Sequence, residues 1–458
     1  MIENDAFKLL LINLFHLNPD DITNIVCTTF NKMMVLLVTL ADKHQACPYC
    51  GFTAPKIKEY VTKEITHSAL TTQKCIIKYR ARRYKCSCCG KTYYEFNPFV
   101  FKSQKISILT VHNILKDLKD FNETFTSVAR RYHVSPTSVS TIFDNHVDIG
   151  RNPLPEIINF DEVYAFKSEK SKYVCVLLDF KKQIPVDVLP NRKKEYLLNY
   201  FQKIPLEERK KVKYACSDMY EVYRDVVHKV FPEAKHLLDY FHLSQDFHKK
   251  MNEVRIKVMK GYKDDKASDE YYLLKKFNWL LFKNPEDEDK YGRLFDVERE
   301  RKYNSHFKSY MNYYDLRKKL LEINNDLTIC YSLKLELVDF YSKSTIDNAK
   351  VNLENLIRSC IDTNIDEMIA FSNNLINWKQ EIINSFTIVG TEYKVEADKG
   401  QVVVCNKKVN NAIIENRNKI IKCIKNNANG YTNWSRFRNR VMYVLDPNAT
   451  FSLEPREK

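Results

Sequence analysis

Between residues 156 and 245 the chain alternates short apolar runs with stretches of helical period, and this rhythm constrains the fold more than any other feature. The pattern predicts strands at 157–160, 173–179, 184–189, 212–216 and 236–240, with helices at 195–202 and 221–230. This alternation of strand and helix reads as an α/β region. Two of the runs end in acid: Phe160 leads into Asp161 and Glu162, and Cys216 leads into Ser217 and Asp218. A carboxylate that terminates an apolar strand stands at the rim of a sheet, where it can hold a hard cation. Strand alternation turns Glu162 to the face opposite Asp161. Asp179, Asp187 and Asp239 also lie at or near strand ends, where most acids are merely solvated.

Downstream, 247–395 reads as strongly helical, rich in Lys, Leu and Tyr and nearly free of Pro and Gly. A last amphipathic helix covers 410–425, and Glu415 is the lone acid of the basic segment 407–440. Packed beside Asp161 and Asp218, Glu415 would complete a three-carboxylate site for Mg²⁺ or Mn²⁺. Such a site suits in-line phosphoryl transfer and needs no protein nucleophile.

The first hundred residues carry two C-x-x-C-G knuckles, Cys47-Pro-Tyr-Cys50-Gly51 and Cys86-Ser-Cys-Cys89-Gly90. Each tight turn aims two thiolates at one point, and four thiolates satisfy a structural Zn²⁺ with no position left for water. The glycine behind each pair suits a backbone at positive φ beneath the metal. The 35 residues between the pairs exceed the usual ribbon spacing, but alternation at 75–80 implies strands that fold back as a hairpin. Cys88 and His67 are possible substitute ligands, and the competing reading is buried structural cysteines, as expected of Cys75 and Cys175. Next, 125–142 has the pattern of a helix-turn-helix. Val128 and Ala129 form an inner face, Val134 anchors the turn, Ser135 caps the second helix and Pro136 opens it, with Val139 and Ile142 inward. Thr137, Ser138 and Ser140 would then face a major groove. An ordinary helical hairpin shares this periodicity.

Composition narrows the function. Only 8 glycines occur, and no two are close enough to build a dinucleotide fingerprint or a P-loop, which excludes those nucleotide-binding classes. The net charge is +15, concentrated in 56–105 (12 basic, 3 acidic residues) and 407–440 (9 basic, one acidic), which points to a polyanion. Thirteen dispersed cysteines, an odd number, fit reduced thiols in a cytosol. The acidic N-terminus is unlike a secretory leader, and the longest apolar run, 33–41, is far short of the ~20 residues of a membrane span. A soluble intracellular protein is expected.

Together these pieces resemble bacterial insertion-sequence transposases of the ISL3 family, of the DDE class. The resemblance extends over nearly the whole chain. It rests on the double knuckle, the helix-turn-helix, Phe160-Asp161-Glu162, Cys216-Ser217-Asp218-Met219, Leu238-Asp239-Tyr240-Phe241-His242 and the segment from Glu415 through Gly430-Tyr431-Thr432-Asn433 to Phe437-Arg438-Asn439-Arg440. It implies a ribonuclease-H-like catalytic core with Asp161, Asp218 and Glu415 as the metal-binding triad, interrupted by an all-α insertion. It gives Asp239 and His242 a supporting role and puts Lys422, two turns beyond Glu415, against the end of the element. Arg436, Arg438 and Arg440 are expected on DNA. The implied organisation is a zinc module at 1–100, a helix-turn-helix at 101–150, the first part of the core at 151–246, the insertion at 247–395 and the last catalytic helix with a basic tail at 396–458. The implied partners are the terminal inverted repeats and target DNA, as double strands, and a second copy of the chain, in the bacterial cytoplasm at the nucleoid. Two other readings compete: a zinc and helix-turn-helix regulator with an inert core, and a recombinase with a Ser or Tyr nucleophile, for which no activating Arg/His constellation is present.

Overall fold

The computed structural model describes residues 2–43, 46–101, 104–166, 171–395 and 402–456. The chain starts with helix α1 (Ile2–Leu14) and strands β1 (Ile22–Phe30), β2 (Met33–Leu40), β3 (Lys56–Thr66), β4 (Cys75–Lys85) and β5 (Thr92–Tyr94). These strands form one sheet in the order β1-β2-β4-β3, with β5 on β4. Its core gathers Leu11 and Ile12 of α1 and Phe15 just after it with Ile25, Leu36, Ile77 and Tyr79. The antiparallel register of β3 and β4 pairs Lys56 with Lys85, so the hairpin's open end brings the two cysteine knuckles together. The long spacing between the knuckles is the length of this hairpin.

Three short helices follow: α2 (Ile108–Asp117), α3 (Phe125–Arg131) and α4 (Pro136–His146). Each starts on a hydroxyl cap: Ser107, Thr124 (with a reciprocal bond from Ser127) and Ser135. Between α3 and α4 His133 takes φ 53°, the left-handed conformation of a tight turn. Val128, Ala129, Val139 and Ile142 point into the cluster with Val111, Ile114 and Phe143, as the sequence pattern predicts.

The α/β sheet comprises β6 (Ile157–Val163), β7 (Val174–Asp179), β8 (Pro185–Leu189), β9 (Tyr214–Ser217) and β10 (Lys235–Leu238) in the order β10-β9-β6-β7-β8. β6, β7 and β8 are antiparallel neighbours, whereas β9 runs parallel to β6 and β10 parallel to β9. Helices α5 (Lys194–Gln202) and α7 (Glu221–Val230), with the short α6 (Leu206–Arg209) between them, follow on either side of β9. Leu197, Phe201, Tyr223 and Val227 of α5 and α7 pack against Phe160 and Leu177 on one face of the sheet.

Helix α8 (Tyr240–Lys260) begins directly after β10 and runs through the expected boundary at 246. It packs with α9 (Asp269–Lys276), α10 (Tyr313–Glu322), α11 (Asn325–Lys343), α12 (Ala349–Asp362), α13 (Asp366–Asn377) and α14 (Lys379–Asn384) around one large apolar core. The expected all-helical insertion also carries two small hairpins, β11 (Glu288–Asp289) with β12 (Gly292–Arg293) and β13 (Lys302–Asn304) with β14 (Ser309–Met311). A longer antiparallel pair, β15 (Ile388–Val395) and β16 (Val402–Lys408), leads back to the sheet. There α15 (Ala412–Asn427) and α16 (Trp434–Leu445) cover the second face through Ile414, Ile421, Phe437 and Val441. Among the described residues no helix is long and apolar enough to cross a membrane.

Candidate active site

Parallel register sets the site. Asn159 of β6 pairs with Cys216 of β9, and Ser217 of β9 pairs with Leu238 of β10. Continuing along each chain, Asp161, Asp218 and Asp239 fall in one row across three neighbouring strands. β6 reaches Val163 because β7 stays paired with it, so Asp161 lies within the strand and not after its end. β9 stops at Ser217, and Asp218 and Asp239 are the first residues past their own strands. Asp161 is 8% and Asp239 3% exposed. Glu415 enters from above, in the first turn of α15, and His242 from the first turn of α8.

The five groups form one electrostatic cluster. The Nε2 atom of His242 lies 3.8 Å from Oδ2 of Asp239 and 4.0 Å from Oε1 of Glu415. Burial, reinforced by the charge of Asp218, pushes the Asp161 carboxyl up to about 7. Burial also raises Asp218 and Asp239, with the nearby His242 opposing both shifts and Arg192 opposing the one at Asp218. Several buried polar atoms here have no hydrogen-bond partner among the described residues: Oδ1 of Asp218, Oδ2 of Asp239, Nε2 of His242 and Oδ1 of Asn418. Buried acceptors left bare cost about 1–3 kcal/mol each, more when charged. Converging carboxylate oxygens of this kind are the donor set of a hard divalent cation, and the residues fit one.

Positioning comes from asparagines that sequence reasoning missed. Asn418, one turn beyond Glu415 on the same helix face, donates Nδ2 to Oδ2 of Asp161 at 2.8 Å. Asn411 donates its backbone N–H to Oδ1 of Asp239 at 3.3 Å, and Asn159 reaches across to Oδ1 of Asn411 at 2.8 Å. The i, i+3 spacing from Glu415 was the available signal for Asn418. Glu162 does turn away, as alternation requires: it pairs with Arg192 and accepts from the Tyr223 hydroxyl at 3.2 Å. The other strand acids are structural. Asp187 takes Arg438 and Tyr200, at 2.7 Å each, and Asp179 caps the turn at Lys181 and Lys182.

At the hairpin's open end the sulfurs of Cys47, Cys50, Cys86 and Cys89 all lie within 4.8 Å of one another. Cys50 lies 3.5 Å from Cys86, and Cys47 3.7 Å from Cys89. Gly51 and Gly90 adopt φ 75° and 70° and return N–H bonds to Cys47 and Cys86 carbonyls, closing each knuckle. Backbone N–H groups of Cys89 and Cys88 pull the Cys86 thiol down to about 7, while its hydrogen-bond partner Cys50 is pushed up to about 12, so without a metal the negative charge gathers on Cys86. The substitutes are not needed: Cys88 is exposed, and the buried His67 is occupied by Ser107 and the Phe15 carbonyl.

The expected DNA-facing residues divide. Thr137 is exposed on α4, whereas the half-buried Ser138 and Ser140 bond locally, to the Ser135 hydroxyl and the Thr137 carbonyl. Lys422 is exposed. The expectation of Arg440 on DNA is corrected, and the half-buried Arg436 and Arg438 are engaged within the chain. Arg440 is 1% exposed and donates to the Asp120 and Glu123 carbonyls, Arg438 pairs with Asp187, and Arg436 with Asp144. They tie α16 to α4, to the loop between α2 and α3 and to the sheet, because carbonyls and acids there require donors.

Over residues 158–397 the chain matches a transposase family, the ISL3 type of the DDE class. That span holds Asp161, Asp218, Asp239 and His242 and ends before Glu415. The chain is also 19% identical, over 410 residues, to the transposase for insertion sequence element IS1001 of Bordetella parapertussis, an alignment that covers 89% of this chain and 90% of that protein. Just over half of the chain lies within the family match, and the protein belongs to the ISL3 family of DDE transposases.

Proposed function

We propose that the protein cuts and joins DNA at the ends of an insertion sequence: it binds the terminal inverted repeats, hydrolyses a phosphodiester at the element end and directs the freed 3′-OH at target DNA. The observation that carries this reading is the row of three aspartates facing Glu415, of which Asp218 and Asp239 each keep an unpartnered oxygen. The strand order, with the glutamate-bearing helix on the sheet, supports a ribonuclease-H-like core. Asp161, Asp218 and Glu415 would hold Mg²⁺ or Mn²⁺. When bound, such a cation polarises the phosphodiester and lowers the pKa of the attacking water or 3′-OH. The chain's own part is to fix the carboxylates: Asn418 orients Asp161, and Asn411 orients Asp239. The zinc module (with structural Zn²⁺ on the four cysteines), the helix-turn-helix through Thr137, and Lys422 would grip the double-stranded ends. A homodimer follows from the need for two ends to react in concert, and the setting is the bacterial cytoplasm at the nucleoid.

The test is a duplex carrying the element end, incubated with Mg²⁺. Asp218→Asn should abolish nicking and leave binding intact. A variant that still nicks overturns the triad, and wild-type protein that binds without ever nicking favours the inert-core regulator.

A further inference from the structure

The segment Gly430-Tyr431-Thr432-Asn433 takes no part in the carboxylate site, yet it forms one wall of a cleft of about 380 Å³ whose other wall is α3. We propose that this cleft clasps a phosphodiester of the double-stranded element end, and so sets how far the sequence read by the helix-turn-helix lies from the carboxylate site. The proposal rests on the DNA-cleaving reading and adds to it a contact shared between the helix-turn-helix and the catalytic helix.

The walls are held by the turn's own chemistry. Gly430, at φ 100°, and Asn429, at φ 55°, end α15, and their N–H groups return to the Lys425 carbonyl at 2.9 Å and the Asn426 carbonyl at 3.0 Å. Asn433 caps α16. Tyr431 turns edge-on to Phe125 of α3, with ring centroids 6.3 Å apart, and packs on Phe437. Asn427, Asn429 and Thr432 are left exposed on one wall, and Thr126 and Arg130 on the other. None of these five side chains has a partner among the described residues.

Chemistry selects the occupant. Hydroxyls, amides and guanidinium groups are what protein–DNA contacts place on phosphate oxygens. No carboxylate is among the residues lining the cleft. Of its two arginines Arg436 is matched by Asp144, which leaves the charge of Arg130 for a ligand. Glu123, just ahead of α3, is taken by Arg131 and the Ser127 hydroxyl. Placement agrees. Lys419, Lys422 and Asn426 follow Glu415 at i+4, i+7 and i+11, within about 40° of it around the helix, and all three are exposed. Neither lysine has an acidic partner among the described residues. A DNA backbone laid on that face runs from the carboxylate site past two cations into the cleft. The path from Glu415 to Asn427 is about 18 Å, which a duplex covers in about five base pairs. The leading helix of a helix-turn-helix crosses the DNA backbone, which suits α3 as the second wall.

The experiment uses the full chain with its zinc in place and a duplex carrying the element end, in which one uncharged methylphosphonate linkage is moved stepwise inward. A linkage roughly three to six nucleotides from the cleavage position should weaken wild-type binding about tenfold, the loss of one charge-assisted contact. Arg130→Ala should weaken binding to the unmodified duplex by a similar factor and lower the slope of log affinity against log salt by about one. It should also become indifferent to that linkage, because the two changes remove the same contact. Asn429→Asp keeps the size of the side chain and its left-handed turn but sets a carboxylate on the opposite wall, so it should weaken binding at least as much with the melting temperature unchanged. Either variant binding as wild type does, or Arg130→Ala staying as sensitive to the linkage as wild type, overturns the inference. Interference at that interval without nicking in Mg²⁺ refutes the proposed cleavage and leaves the clasp standing; nicking without interference does the reverse.

Discussion

Removing one member of the carboxylate row should stabilise the metal-free protein, and the gain should depend on pH in a defined direction. Asp161 sits at about 7 in the fold against an ordinary 3.8, chiefly through burial. Below about pH 4 it is protonated in both folded and unfolded chains and contributes nothing. Between 4 and 7 the unfolded chain gives up the proton that the fold retains, so stability falls as pH rises. Above 7 the full cost is present, about 4 kcal/mol at ~1.4 kcal/mol per tenfold in proton affinity. Asp161→Asn removes that cost. The amide keeps one acceptor for the Glu162 N–H, now at 2.7 Å from Oδ1. Its new NH₂ meets Asn418, whose unpartnered Oδ1 can accept once that amide turns over. A net gain of about 2–4 kcal/mol at pH 8 follows, or roughly 5–10 °C in the transition of the catalytic core. The assay is thermal unfolding in Mg²⁺-free buffer without a chelator strong enough to strip zinc, at pH 8 and pH 5. Most of the gain should vanish at pH 5, and saturating Mn²⁺ should raise wild-type stability more than the variant's. A variant that melts at or below wild type at pH 8, or whose advantage ignores pH, refutes the repulsive-cluster account.

The zinc and arginine assignments are open to equally direct tests. Cys86→Ser should lose the equimolar zinc and unfold the N-terminal sheet to proteases, because a structural zinc contributes on the order of 10 kcal/mol; retention of one zinc per chain would dispose of the four-cysteine site. Arg440→Met strands the Asp120 and Glu123 carbonyls and should destabilise by about 2–4 kcal/mol, with the salt dependence of DNA binding unchanged. Lys422→Ala should do the opposite, leaving stability alone and lowering the slope of log affinity against log salt by about one; a reversed pattern would mean that the arginine, not the lysine, faces DNA.

Much of the core is legible in the sequence because fully buried strands are uninterrupted apolar runs, and all five predicted strands of the sheet are present to within a few residues. What a single chain does not carry is which strands are neighbours. Asp239 therefore looked like one of several strand-end acids, although parallel register with β9 makes it the equal of Asp218. The run at 236–240 also ends early, at Leu238, because Asp239 and Tyr240 turn the chain into α8. Arg440 is hidden for a different reason. Charge was read as exposure, while Arg440 lies three residues after the buried Phe437 and so shares its inward face. The hairpins at 288–311 escape the sequence pattern because scarce Gly and Pro argue for helix, yet Gly292, at φ 98°, stands directly after one of their turns.

The placement of the helical insertion follows from the same row of carboxylates. It departs at Asp239, and α8 carries His242 in its first turn, while Leu238, Leu243 and Phe247 belong to the insertion's own core. It returns through β16 to Val409, buried with Ile157, Cys216 and Leu237. Two residues on, Asn411 bonds both Asp239 and the Phe160 carbonyl. Asn384 of α14 reaches the His236 carbonyl, and Arg224 of α7 reaches that of Asn377. Loop-closure entropy grows only slowly with length, so an insertion of this size is cheap to accommodate between fixed ends. Here both ends are fixed at the site itself: Asp239 and His242 ride on the outgoing helix, and Glu415 on the helix that follows the return. Asp161 and Asp218 belong to the sheet alone. A shift of the helical body on the sheet would therefore move Asp239 and His242 against Asp161, Asp218 and the sheet-packed Glu415, which couples whatever the insertion contacts to the geometry of the metal site.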